Sequence, residues 1–317
     1  MSFPLHLDPL SEKDVLYILS ENMGVPDPQE FIHEAKQRDL DELLLNPQIL
    51  EMLVYAVTGK HWPASRKQTF DLACHKIIEE HNREHRQASR NQVINVDKQL
   101  TAAGSLCAVH LIGGYEGYAL EPEGSNNNFP ILNGLQLPEV ENIQLMHSVV
   151  RTKLFTAPAQ ERITPVHRQV AEYLAAVYLT ELIEKKGLPI ERLFTLITGE
   201  DGMVVSELRG LSAWLATLCR SHRKTIIDRD PLGTILYGDV YDFNTQEKLY
   251  VFKRLQRLAK EYPQNLYSER FNTSLGALAT KDMEEKYLEI LTSGNRSQAH
   301  QVIAEYILSA ISVPTFN

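Results

Sequence analysis

The chain has 317 residues, 43% of them hydrophobic and 23% charged, proportions of a soluble globular protein with length for two domains or one extended one. Its net charge of -9 argues against a dedicated nucleic-acid binder, which would ordinarily be basic, and favours solubility. Three cysteines, Cys74, Cys107 and Cys219, are odd in number, far apart and set in apolar helical patterns. They exclude a disulfide framework and point to small buried hydrophobes in a reducing compartment.

The first ten residues, MSFPLHLDPL, lack the basic and apolar regions of a signal peptide. Ser11 is placed to cap a short helix through Leu19, with Asp14 near its positive end. A second helix is expected over about Gln29 to Arg38, after Pro26 and Pro28. In LDELLLNPQILEMLVYAVTG the leucines recur at helical spacing, Asn46 and Pro47 suit a cap and first residue, and Gly59 suits a stop. A long helix follows over about Ser65 to Gln87, where Phe70, Cys74, Ile77, His81 and His85 share one face. Another is expected from Val96 to Ile112. The longest uncharged stretch, Gln99 to Tyr115, is broken by glycines and too short to span a membrane.

Gly113 to Pro138 is rich in Gly, Asn and Pro and reads as an exposed excursion with at most a short strand at Tyr118 to Leu120. Helix is expected again over Glu139 to Lys153. KLFTAPAQERITPV reads as two extended runs around a turn at Ala157 to Gln160, and a strong helix then runs from His167 to a stop at Gly187. Helix, hairpin, helix is consistent with a winged helix. Beyond Leu188, short helices alternate with polar loops, as in an irregular helical-repeat arm. The expected fold is therefore mainly α: a helical lid-like bundle (1–90), a winged-helix-like domain with a small hairpin (91–187), and a helical arm (188–317).

HNREH, residues 81–85, matches a zinc-peptidase pattern, with His81 and His85 as ligands and Glu84 as base. A catalytic zinc needs a third protein ligand, and nothing downstream singles one out. Glu79, Glu80, Arg83 and Arg86 supply the ion pairs of a solvated helix, so packing is the favoured reading. Gly59-Lys60 lacks the first glycine and the Ser/Thr of a P-loop and follows a helix. No other catalytic constellation is apparent. His167 opens its helix, where an N-terminus can hold phosphate, although a locally bonded histidine is the commoner case. Arg168 and Glu172 form an ordinary i, i+4 pair. Trp214 reads as helix core, and Asp228, Asp230, Asp239 and Asp242 as turn or capping residues.

Several stretches taken in order resemble the STAND-type (NACHT-like) bacterial NTPases: LDPLSEKDV, LLLNPQILEML, WPASRKQTFDLACHKIIEEHNREHR, AAGSLCAVHLIGG, PVHRQVAEYLAAVYL, ELRGLSAWLA and DPLGTILYGDV. The likeness runs over about residues 7 to 260. It implies the parts that follow a P-loop core: helical lid, winged helix and helical arm. By this resemblance Pro47 matches the lid proline that packs on adenine. His167 matches the winged-helix histidine that contacts the ADP phosphate and holds the closed state. Walker A, Walker B and the sensor strand are missing from the pattern, so the chain is expected to be non-catalytic and to hold no cofactor by itself, ATP or ADP being implied only for the intact family. The expected partners are a P-loop ATPase core in cis or trans and a protein on the arm, with no membrane and with nucleic acid the less favoured partner, in the cytoplasm. Signalling and defence are the roles the resemblance implies. A free-standing helical scaffold for protein partners and a metal-dependent hydrolase built on HNREH are the rivals.

Overall fold

A computed structural model describes residues 10–37, 40–45, 47–57, 61–88, 95–137, 143–261 and 283–294, with positions 278, 297 and 304; for 41, 42, 48 and 83–88 it describes the backbone alone. The fold is mainly helical, with one small three-stranded sheet. Contacts gather the chain into two units, Met1–Leu100 with Asn142–Thr156, and Thr101–Glu141 with Ala157–Asn317. The division expected at 90 and 187 does not coincide with these, for reasons of packing given below.

In the first unit, α1 (Glu12–Tyr17) begins as expected. Ser11 accepts from the Asp14 N–H while the Asp14 carboxylate accepts from the Ser11 backbone, a reciprocal cap. That bonding holds the Asp14 carboxyl below its usual range. α2 (Pro28–Gln37) and α3 (Pro47–Ala56) follow, and α3 packs along α4 (Arg66–Ala88). Leu50, Leu53, Phe70, Ala73 and Ile78 are fully buried between them. Two further bonds fix the far end of this unit: Asn82 donates to the Gln99 side chain (2.7 Å), and Gln99 donates to Ser148 on α6 (Ile143–Val149; 3.3 Å). A buried amide needs both of its ends satisfied, and here they are.

The second unit holds the helix α5 (Val96–Gly113) from Thr101 on. β1 (Tyr118–Ala119), β2 (Phe155–Ala159, of which Ala157 onward belongs to this unit) and β3 (Arg162–Pro165) make a sheet in the order β1-β3-β2, with Tyr118 opposite Ile163. The hairpin turn falls at Gln160 and Glu161, the latter at φ 58°, later than expected. Pro158 reads locally as a turn residue, but β2 is the sheet edge, where a proline's missing N–H removes no ladder bond. α7 (Arg168–Lys186) ends at Gly187 in the left-handed conformation, φ 74°, as its sequence requires. α5 approaches α7 closely because Gly104 has no side chain: a Cβ there would lie 2.6 Å from the Leu174 carbonyl oxygen.

Next come α8 (Ile190–Ile197), α9 (Arg209–Leu218), α10 (Arg223–Arg229), α11 (Pro231–Tyr237), α12 (Thr245–Glu261) and α13 (Glu284–Thr292). α9 is buried all round from Gly210 to Thr217, packed by α7, α10 and α11. Trp214 meets Tyr173 of α7 edge-on, ring centroids 5.1 Å apart. Residue 187 is therefore no packing boundary: α7 and the helices after it share one core. SELRGLSAWLATLCRSH reads as one helix but ends at Leu218. There the buried Arg223 guanidinium turns back to donate to the Ala216 and Thr217 carbonyls (2.8 and 2.7 Å), satisfying groups a helix end leaves open. Arg223 also bonds Glu247 (2.6 Å) and stacks on Phe243. None of the three cysteines forms a disulfide among the described residues, and all three are buried. Among the described residues no helix is long and apolar enough to cross a membrane. The expected helix SQAHQVIAEYILSAIS lies, but for positions 297 and 304, outside the described residues.

Candidate functional site

β3 runs straight into α7, so the hairpin delivers His167 to the start of that helix. His167 is extended (φ -150°, ψ 144°) and acts as the N-cap: its Nδ1 accepts the Gln169 N–H at 3.2 Å. An accepting Nδ1 carries no proton, so the neutral ring holds its hydrogen on Nε2 and is a donor there. Burial pushes the imidazole below its ordinary range, which keeps it neutral near pH 7.

The next residue, Arg168, donates through Nε to Glu172 (2.9 Å) and through Nη2 to the Glu207 carbonyl. The i, i+4 pair expected of Arg168 and Glu172 is formed, with the Glu172 side chain only 8% exposed. Its carboxylate lies against the first turn of α9, where a Cβ on Gly210 would fall 2.2 Å from Oε2. Negative charge is favoured at a helix N-terminus, and only glycine leaves room for it here. Arg209, next to Gly210, forms a fork to Asp230: Nε to Oδ2 at 2.7 Å and Nη2 to Oδ1 at 3.2 Å. Asp230 also caps α11 through the Gly233 N–H (2.8 Å), a capping role as expected. Of the other aspartates, Asp228 accepts from the Tyr250 hydroxyl and pairs with Arg254.

His110 lies on α5, within the uncharged stretch Gln99 to Tyr115 that it interrupts together with the glycines. Its Nδ1 is buried and finds no hydrogen-bond partner among the described residues. Burial, and secondarily the positive Arg168, lower its pKa. Nothing in AAGSLCAVHLIGG marks it, since its surroundings come from another helix.

Pro47 is the exposed first residue of α3 and belongs to the first unit, whereas His167 belongs to the second. His81 is half-buried on α4, continuing the stripe of the buried Phe70, Cys74 and Ile77. The His85 side chain lies outside the described residues. Among the described residues no three His, Cys, Asp or Glu side chains gather to hold a metal. No known family model matches the chain, and no curated protein matches it either.

The depressed His167 pKa has a measurable consequence. The unfolded chain takes up this proton near about pH 6.5, while the folded ring resists until lower pH. Between the two values the unfolded state binds more protons, so stability is full above the unfolded pKa and falls as pH drops through that window. His167→Asn keeps a capping acceptor but cannot titrate. Wild type should therefore lose stability relative to this variant as pH falls below about 6.5, measured by urea unfolding at each pH. An unchanging difference would mean that the folded ring accepts a proton as readily as the unfolded one.

Proposed function

We propose that this chain is a non-catalytic regulatory portion of a nucleotide switch similar to the STAND-type NTPases. An ATPase core, in cis or in trans, holds ATP or ADP; this chain packs against it and passes its state to a protein partner through the helical arm. The observation that carries the reading is His167: a neutral, half-buried imidazole on the first turn after the hairpin, its tautomer set by the cap so that Nε2–H is a donor. That donor suits one phosphate oxygen at a helix N-terminus. The sheet order β1-β3-β2, with a helix before and after the hairpin, supports it as the arrangement a winged helix requires. Arg168, the next residue, is held by Glu172 and the Glu207 carbonyl. The exposed Pro47 ring offers an apolar surface of the kind that packs on a purine, within a different unit.

The test is titration of a fluorescent ADP analogue into the chain alone, then into its mixture with a candidate P-loop ATPase partner. The expected result is negligible binding alone, tightened binding in the mixture, and a loss of roughly tenfold with His167→Ala, in keeping with removal of one hydrogen bond to a charged group. Nucleotide affinity indifferent to this chain, or to His167, would sink the reading and leave the free-standing scaffold.

A further inference from the structure

Charge is unevenly spread along this acidic chain. Residues 220–260 carry nine Lys and Arg against five Asp and Glu, within a chain of net charge -9. α12 buries one stripe, Val251, Phe252, Leu255 and Ala259, and turns Lys253, Arg257 and Lys260 to solvent on the opposite face. These three stand at i, i+4 and i+7, about one helical turn of 5.4 Å apart in succession. Helix α10 packs beside α12 and adds Lys224, whose ammonium sits over the Tyr250 ring, 5.5 Å from its centroid.

Tyr250 is also fixed from below. Its hydroxyl donates to Asp228 at 2.6 Å, and Arg254 pairs with the same carboxylate at 2.9 Å. Asp228 is thus used up in holding Tyr250 and Arg254, and Glu261 is paired with Arg257 (2.7 Å). The result is an exposed ridge of excess positive charge beside one pre-oriented, half-buried aromatic ring.

We propose that this ridge, on α10 and α12, binds the phosphate backbone of a single-stranded nucleic acid, with Tyr250 as a stacking platform for a base. A row of cations that tracks phosphates, interleaved with an aromatic ring, is the chemistry of sequence-tolerant single-strand binding. An anionic membrane is the poorer fit: a surface-seeking helix needs an apolar face to sink into lipid, and the apolar stripe of α12 is spent on the core. None of the large hydrophobics exposed among the described residues lies on α12. The overall acidity of the chain hides this face because the charge is averaged over residues remote from it.

The experiment uses the full chain and a short fluorescein-labelled oligothymidylate, followed by anisotropy at rising salt. Binding should weaken steeply with salt. Lys253→Glu with Lys260→Glu should weaken it roughly tenfold or more, and Tyr250→Ala about fivefold or more, while Tyr250→Phe, which keeps the ring, should stay near wild type. Lys253 and Lys260 are exposed and Tyr250 is half-buried, and unchanged thermal melts of each variant would show that folding is intact. No binding at low salt, or equal binding by the charge-reversed variant, overturns the proposal. So does binding to phosphatidylserine vesicles in place of oligothymidylate, which would make the ridge a lipid contact.

Discussion

Arg209→Ala is expected to lower the unfolding free energy by about 3–5 kcal/mol, the cost of removing one member of a buried ion pair. The side chains of Arg209 and Asp230 are only 15% and 10% exposed, and the guanidinium meets the carboxylate with two hydrogen bonds. Without it, Asp230 stays buried as a charge with the Gly233 N–H for a partner, far short of what a carboxylate needs. The loss should appear as a lower urea midpoint with little change in slope. Arg209→Met combined with Asp230→Asn removes both charges, keeps a capping acceptor and should cost distinctly less than the single substitution. A cost below about 1 kcal/mol for Arg209→Ala would place the pair in the class of solvated surface bridges.

Trp214→Ala should cost about 3–5 kcal/mol as well, by a different route. Trp214 is fully buried at the middle of α9, the helix around which α7, α10 and α11 pack. Deleting the indole removes the edge-on contact with Tyr173 and leaves a void that rigid neighbours fill only in part. Trp214→Phe keeps a ring and most of the volume, so a smaller loss is expected. Urea unfolding followed by far-ultraviolet circular dichroism measures both, since the fluorescence of Trp214 is itself deleted. Near-equal midpoints for the alanine and phenylalanine variants would show that the core repacks freely around α9.

Local chemistry accounts for much of the helical framework. Ser11 with Asp14 starts α1, His167 starts α7, Gly187 stops it, and Asp230 before Pro231 starts α11. Each rests on groups within a few residues of one another, so each is legible in the sequence. The stripe Phe70, Cys74, Ile77 and the burial of Trp214 are legible for a similar reason: a helical period places apolar side chains on one face wherever the partner lies. The place of His167 at a helix start could be read in the same way; the tautomer set by its cap could be seen only in the hydrogen bond itself.

The rest depended on residues distant in sequence. β1 has two residues and pairs with β3 some forty positions later, and that pairing made β2 the edge strand in which Pro158 is tolerated. The Arg168–Glu172 spacing is legible as an i, i+4 pair, but the gap at Gly210 that receives the Glu172 carboxylate comes from another helix. Arg223 ends α9 by folding back on its carbonyls, which no propensity forecasts. The ridge of Lys253, Arg257 and Lys260 is visible in α12 alone, but Tyr250 joins it only because α10 brings Asp228 and Lys224 alongside. The sequence by itself determined where helices begin and which faces they bury, because those depend on backbone geometry and local hydrogen bonds. Only the tertiary structure decided which carboxylate meets which cation, where the units divide and which charges remain to face a partner, because burial and pairing across the chain set the cost of each charge.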